Sequence, residues 1–187
     1  DKWAKKYGID IDVVQLNDYV ESINQYSVGQ FDGCTMTNMD ALTIPAAGGV
    51  DSTALIVGDY SNGNDGLLIK GEGKTLADLK GQNVNLVELS VSHYLLARGL
   101  ERAKLTEKDL KVVNTSDADM VAAFATDDVT AMATWNPLLA EIEKLGIDVF
   151  AIVEQDMYPC EVDASLPIAK RTQKYLGSCG VPSVRFN

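Results

Sequence analysis

Residues 84–113 read VNLVELSVSHYLLARGLERAKLTEKDLKVV, and this stretch decides the fold class of the chain. It begins with a strand pattern at residues 84–87, continues as a helix pattern at residues 91–103 and ends on a second strand pattern at residues 110–113. Two strands separated by a helix form a βαβ unit, whose strands lie parallel in one sheet. The stretch therefore predicts an α/β fold built on parallel strands.

The same alternation extends in both directions from this stretch. Further strands are predicted at residues 11–16, 31–36, 52–58, 67–70, 129–133 and 149–153, and further helices at residues 17–28, 37–49, 118–125 and 137–145. Residues 59–66, DYSNGNDG, form a polar break that is typical of a linker. We therefore predict two parallel-sheet α/β lobes joined by a hinge. Lobe 1 takes residues 1–70, lobe 2 takes residues 71–150, and residues 151–187 form a C-terminal segment without a clear pattern.

Charge and composition exclude some classes of protein. The net charge of −11 and the isoelectric point near 4.4 argue against a nucleic-acid partner, whose phosphates need Lys and Arg. The chain has no run of eighteen apolar residues, so no transmembrane helix is predicted. Residues 1–8 have the pattern of the last turns of a helix ended by glycine, without an initiator Met or signal sequence. We expect either a trimmed export signal or a fragment, with an incomplete first lobe.

No pattern in the sequence indicates catalysis, a metal site or a cofactor. His93 is the only histidine, which excludes a two-histidine metal site and makes it the sole candidate base of a Ser-His-Asp triad. It is either a hydrogen-bonding group on the cleft side of its helix or a plain helix-terminal histidine. Cys34, Cys160 and Cys179 lack metal-site spacing, and Cys160 and Cys179 either pair in an oxidising compartment or stay free. Residues 71–75, GEGKT, lack the first glycine of a P-loop and predict a turn.

The position of a ligand site follows from the strand order. In open parallel sheets a ligand binds beyond the carboxyl ends of the strands, next to helix N-termini. The segments that follow the predicted strands are residues 17–19, 35–40, 59–65, 88–94, 115–119 and 134–136. They are rich in Asn, Thr, Ser, Asp, Tyr and Trp, a polar and aromatic mixture that suits a small-molecule cleft.

A series of motifs resembles one family of bacterial transport proteins. GQFDGC at residues 29–34 is followed by DLKGQNV at residues 78–84, DLKVVN at residues 109–114 and WNP at residues 135–137. Each motif is weak alone, but the ordered series, over roughly residues 1–150, is specific. It resembles the nitrate/sulfonate/taurine and thiamine-pyrimidine-precursor family of ABC-transporter periplasmic solute-binding proteins. More narrowly, the chain is similar to the binding proteins associated with urea carboxylase.

The resemblance implies a type II periplasmic-binding fold, in which two α/β lobes close on a ligand at the hinge. It implies a periplasmic protein or extracytoplasmic lipoprotein that is a monomer, has no catalytic residue, metal or cofactor, and serves an ABC importer. Its partners are then a small-molecule ligand and the ABC transporter membrane permease subunits. The cleft positions of the family fall on Asn17, Tyr19, Thr37, Asn38, Asp40, Asn64, Asp65, Ser90, Ser92, His93, Trp135 and Asn136.

The charge of these segments favours a neutral or cationic, nitrogen-rich ligand. They carry several carboxylates, among them Asp18, Asp40, Asp65 and Glu88, and almost no Arg or Lys. A sulfonate or nitrate needs Arg or many unopposed backbone donors. We therefore expect an amide, a urea- or guanidine-like compound or an aminopyrimidine. The alternatives are the effector-sensing domain of a bacterial transcription regulator, which shares the two-lobe architecture, and, less well supported, an enzyme of the same fold.

Overall fold

The computed structural model of this chain describes residues 2–58, 61 and 64–153. Its α-helices are α1 (Lys2–Tyr7), α2 (Tyr19–Ser27), α3 (Asn38–Ala41), α4 (Val91–Arg102), α5 (Met120–Phe124) and α6 (Leu138–Glu143). Its strands are β1 (Asp65–Lys70), β2 (Asn83–Leu86), β3 (Lys111–Asn114), β4 (Ala131–Trp135) and β5 (Val149–Val153). A π-helical turn, Leu42–Ala46, continues α3, and 3-10 turns at Leu76–Leu79 and Glu107–Asp109 precede β2 and β3.

The five strands form one sheet in the order β3-β2-β4-β1-β5. β2 is parallel to β3 and β4, whereas β1 is antiparallel to both β4 and β5. The α/β prediction is confirmed, but the prediction of purely parallel strands is wrong at β1. A buried apolar strand has the same pattern in either direction, so the sequence does not encode its orientation.

β1 also bears on the predicted lobes. It lies inside the sheet formed by the later strands, so this sheet begins at Asp65 and not after the predicted boundary at residue 70. The division into lobes itself stays a prediction.

Both faces of the sheet are covered. Leu67 and Ile69 of β1 face a hydrophobic cluster against α4, whose other buried members include Val84, Leu86, Leu95, Leu96 and Leu100. Leu68 of the same strand faces the opposite cluster, against α5 and α6, with Met120, Phe124, Met132 and Ile142. The amphipathic spacing of α4 explains its place, because its buried residues recur at three- and four-residue intervals.

The strands predicted at residues 11–16, 31–36 and 52–58 are wrong, because these residues form neither helix nor strand. Leu55 and Ile56 are 89% and 87% exposed. An apolar, β-branched run becomes a strand only when a neighbouring strand supplies its hydrogen bonds. None of the described strands pairs with these segments, so the described part of the chain contains no second sheet.

The helices predicted between these segments are present. The helix predicted at residues 17–28 is α2, capped by Asp18, whose carboxylate accepts the N–H of Glu21 at 2.8 Å. The helix predicted at residues 37–49 is α3 with its π-helical continuation, and Pro45 lies inside that continuation.

A repeated motif precedes the neighbouring parallel strands β2 and β3. Residues 75–80, TLADLK, and residues 106–111, TEKDLK, each open a 3-10 turn with a reciprocal capping box. Hydrogen bonds from the threonine of each motif hold the pKa of Asp78 and Asp109 below the ordinary value. For Asp78 the threonine hydroxyl contributes most, and for Asp109 the threonine N–H. Each box fixes the chain where it enters the sheet.

Two further expectations concern cysteines and membranes. Cys34 is a free, half-buried thiol, and its Sγ lies 3.7 Å from Oγ of Ser22. The pairing of Cys160 and Cys179 lies outside the described residues, as does most of the predicted segment 151–187. In the described ranges no helix is long and apolar enough to cross a bilayer, since the longest, α4, has 12 residues.

The contrast between buried and exposed leucines gives a test of this fold. Leu86 is fully buried in β2, so Leu86→Ala should lower the free energy of unfolding by about 3 kcal/mol. Leu55→Ala is the matched control, because that side chain is exposed, and it should change stability by less than about 0.5 kcal/mol. Urea unfolding followed by circular dichroism measures both. Equal costs for the two variants would contradict the described packing.

Candidate functional site

The carboxyl edge of the sheet gathers most of the candidate residues. β2, β3 and β4 end at this edge, and the reversed strand β1 begins there, because Asp65 pairs with Trp135. The N–H of Asn136 donates to the carbonyl oxygen of Asn64 at 2.9 Å, which ties the two connecting segments together. The edge selected by the strand-end rule is therefore a real, continuous surface in this structure.

Tyr19, Thr37, Asp40 and Trp135 form a cluster around a buried carboxylate. The Tyr19 hydroxyl donates to Oδ2 of Asp40 at 2.5 Å, and Oγ1 of Thr37 donates to the same oxygen at 2.7 Å. The Thr37 N–H in turn donates to the Tyr19 hydroxyl oxygen at 3.0 Å. The Tyr19 and Trp135 rings lie 6.4 Å apart between centroids, tilted by 54°. These contacts join the start of α2 and the start of α3 to the end of β4.

The protonation of Tyr19 follows from its burial and its bond to Asp40. Asp40 is fully buried, and its Oδ1 has no hydrogen-bond partner among the residues described. Burial, together with the bond to the Asp40 carboxylate, raises the pKa of Tyr19 above its ordinary value. The phenol therefore stays protonated at neutral pH and acts as the donor to Asp40.

Three more predicted residues lie at the start of α4. Ser90 caps the helix by accepting the N–H of Ser92 at 3.2 Å, and Ser92 is itself buried. Nδ1 of His93 accepts the N–H of Leu89 at 3.2 Å, and its Nε2 lies 3.0 Å from Oε1 of Glu107. The hydrogen-bonding interpretation of His93 is thus supported, although its partners belong to the protein itself.

The other predicted residues are mostly exposed. All four asparagines are exposed: Asn17, Asn38, Asn64 and Asn136. Asp65 is buried and accepts a hydrogen bond from the Ser61 hydroxyl at 3.2 Å. Asn136 also lines a cavity of about 200 Å³ whose other walls come from α6, β1 and β5.

A larger cleft, of about 410 Å³, opens between α2 and the carboxyl ends of β2 and β3. Its walls are Asp18, Val20, Glu21, Asn24, Val87, Glu88, Leu89, Asn114 and Ser116. None of the twelve predicted residues is among these wall residues, although Asn17 and Tyr19 flank Asp18 directly. The predicted set as a ligand site stays a prediction. Helical spacing was the signal that could have found more of the wall, because Val20 and Asn24 lie one turn apart on α2.

The cleft is acidic. Three carboxylates line it, and no Lys, Arg or His stands among its wall residues. Asp18 caps α2, so the positive end of that helix already faces a carboxylate of the protein. Glu21 accepts a hydrogen bond from the Gln25 side chain at 2.8 Å. Glu88 forms no ion pair with any described residue. The cleft therefore offers acceptors and negative charge.

The raised pKa of Tyr19 can be tested through the stability of the protein at alkaline pH. Tyr19→Phe removes the donor to the buried Asp40 and should cost about 1–2 kcal/mol at pH 8. The folded pKa lies above the unfolded value of about 10, so the stabilisation is complete below that value and declines as pH rises through the folded pKa. The stability gap between wild type and Tyr19→Phe should therefore shrink above about pH 10.

The measurement is urea unfolding of both proteins at pH 8 and pH 11. Tyr94→Phe serves as the control, because Tyr94 is a 43% exposed tyrosine that lies outside this cluster. A gap for Tyr19→Phe that stays constant with pH would contradict the described cluster.

Comparison with known proteins places the chain in a family. The NMT1/THI5-like family matches residues 2–174, which extends beyond the roughly 150 residues covered by the motif series. A binding protein of Brucella abortus is 29% identical over 168 residues, 89% of this chain and 51% of that protein. This chain thus spans about half the length of the curated relatives it matches.

Solved structures agree with the fold. The periplasmic aliphatic sulphonate binding protein SsuA from Escherichia coli superposes with a TM-score of 0.67 at 28% identity, over 85% of this chain and 52% of that chain. The ligand-binding component of an ABC-type import system from Staphylococcus aureus has a TM-score of 0.66 at 18% identity, over 84% and 56% of the two chains. The α/β fold is therefore of the type II periplasmic-binding kind, present here in part.

The narrower likeness to urea-carboxylase-associated proteins stays a prediction. The broader expectation from the motif series is confirmed by the match over nearly the whole sequence. The chain belongs to the NMT1/THI5-like family.

Proposed function

We propose that this chain is the solute-binding part of an ABC importer and captures a small nitrogen-containing solute outside the cytoplasm. It acts as a monomer, periplasmic or lipid-anchored, and passes its ligand to membrane permease subunits without catalysing a reaction. The family supports the binding role, because its relatives include binding proteins from several bacteria.

The acidic cleft is the observation that carries the solute class. It has a volume of about 410 Å³, which falls within the usual size of small-molecule sites. Its polar side chains are three carboxylates, two asparagine amides and one serine hydroxyl. Carboxylate and amide oxygens accept hydrogen bonds from N–H groups, so a urea, guanidine, amide or aminopyrimidine matches this wall.

The negative charge of this wall favours a bound cation over a bound anion. At a separation of roughly 5 Å in a water-like dielectric, each carboxylate changes the energy of a unit charge by about 0.8 kcal/mol. Three carboxylates together lower the energy of a bound cation by about 2.5 kcal/mol and raise the energy of a bound anion by the same amount. No basic side chain among the wall residues offsets this preference.

The proposed mechanism is capture by closure. Asp18 caps α2, Glu21 lies on α2 and Glu88 follows β2, so the carboxylates stand on opposite walls of the cleft. A solute that donates hydrogen bonds to both walls stabilises the closed arrangement over the open one. The tilted Tyr19 and Trp135 rings, at the neighbouring edge, suit a flat or cationic group.

A sulfonate is the second candidate, and the Escherichia coli relative is the observation that favours it. A sulfonate needs Arg or free backbone donors. In this chain no Arg stands among the described residues that line the cleft, and one first-turn N–H of each neighbouring helix is already bonded, that of Glu21 to the Asp18 carboxylate and that of Ser92 to the Ser90 hydroxyl. The cleft therefore supports the nitrogenous solute better.

A ligand screen tests the proposed function. The purified chain is melted with guanidinium, urea, acetamide, 4-aminopyrimidine, taurine, an alkanesulfonate or nitrate, each at millimolar concentration. A solute at 100 times its dissociation constant should add about 2.7 kcal/mol of stability. A shift with nitrogenous compounds alone supports the proposal. A shift with sulfonates alone contradicts the solute class, and no shift with any compound contradicts the binding role assigned to this cleft.

Charge removal on the wall refines the test. Glu88→Gln should weaken binding of a cationic solute by about fourfold or more, because one of three carboxylates is lost. Glu72→Gln is the matched control, since Glu72 is an exposed carboxylate that does not line the cleft. Isothermal titration calorimetry measures both. Tighter binding in Glu88→Gln would show that the ligand is an anion.

A further inference from the structure

The Glu88–Leu89 wall of the acidic cleft has an unusual backbone. Leu89 lies at φ 65°, in the left-handed region that few residues other than glycine, asparagine and aspartate adopt. Its side chain is 59% exposed, so packing does not hold it in place. Another interaction must therefore keep this turn in its conformation.

His93 supplies that interaction. Its Nδ1 accepts the N–H of Leu89 at 3.2 Å, four residues earlier in the chain. Ser90 is the N-cap of α4, so His93 occupies the third helical position. A Glu or Gln at this position often reaches back to the chain before the helix in a capping box. His93 makes the same backward contact with an imidazole nitrogen, one residue further out.

The contacts also fix the tautomer of the imidazole. A backbone N–H can only donate, so Nδ1 must be unprotonated to accept it, and the proton sits on Nε2. Nε2 then donates to Oε1 of Glu107 at 3.0 Å. Glu107, in the turn before β3, thus orients the ring from its far side.

The neighbouring contacts converge on the same wall. The N–H of Glu88 donates to Oδ1 of Asn114 at 3.0 Å, and both residues line the cleft. Ser90 donates its hydroxyl to the carbonyl of Val87 at 2.8 Å. Every backbone N–H from residue 88 to residue 90 therefore donates a hydrogen bond. The N–H of Leu89, the residue in the left-handed region, donates to the His93 ring.

We propose that His93, as the Nε2–H tautomer oriented by Glu107, is the positioning residue that holds the Glu88–Leu89 wall in its binding geometry. It does not touch the solute. This role rests on the proposed function, since it assumes that the cleft is the binding site. It gives the single histidine of the chain a function that differs from a direct ligand contact.

The first test needs no ligand. The sequence contains one histidine, so a long-range ¹H–¹⁵N spectrum of the whole chain reports on His93 alone. We expect the proton on Nε2 and an unprotonated Nδ1, as the two contacts of the ring require. The Nδ1–H tautomer, or equal mixing of both tautomers, would overturn the proposal whatever the cleft binds.

The second test uses a matched pair of variants. His93→Gln keeps an acceptor at the third helical position, whereas His93→Leu keeps the bulk and removes the acceptor. Hydrogen exchange of the Leu89 amide should be about tenfold faster in His93→Leu than in wild type, the factor that one hydrogen bond is worth. His93→Gln should restore most of the protection. Equal exchange in wild type and His93→Leu would refute the role.

Binding is the third readout, with guanidinium as the probe. His93→Leu should weaken it about tenfold and His93→Gln by much less, if the wall geometry depends on the acceptor. Equal affinities in all three proteins would overturn the positioning role. If wild type binds neither guanidinium nor any other compound of the ligand screen, the proposed function fails, and the spectrum and the exchange rates still test the role of His93.

Discussion

Leu67, Leu68 and Ile69 of β1 point alternately to the two faces of the sheet, so one strand supplies both hydrophobic clusters. β1 lies between β4 and β5 and is hydrogen-bonded on both sides. Side chains alternate with a period of two along a strand, so a slip of one residue would exchange the two faces. The register that buries these residues also pairs Asp65 with Trp135, and thereby sets the tryptophan opposite Tyr19.

The reversed direction of β1 shapes the candidate site. In a purely parallel sheet, the start of this strand would lie at the edge away from the carboxyl ends. Here Asn64 and Asp65 lie at the same edge as the end of β4, and their segment is tied to it by the Asn136 N–H. This edge of the sheet therefore holds the carboxyl ends of β2, β3 and β4 together with the amino end of β1. The Tyr19–Asp40 bond attaches α2 and α3 to that edge through Trp135.

The sequence predicted those parts of the structure that depend on local pattern. β5 has the predicted bounds, and α4 differs by one residue, because apolar spacing and a serine cap are local signals. The strand at residues 52–58 failed because pairing is a tertiary property, and its apolar residues find no partner strand in the described part of the chain.

The same distinction holds for the candidate site. The strand-end rule selected Tyr19 and Asp40, which do meet, but the acidic cleft depends on where α2 lies above the sheet.

The two capping boxes lie at the opposite edge of the sheet, and their aspartates respond to acid. The lowered pKa values of Asp78 and Asp109 mean that their stabilisation is present above the unfolded pKa and is lost as pH falls through the folded values. Acid should therefore weaken both capping boxes, which lie at the amino edge of β2 and β3, remote from the cleft.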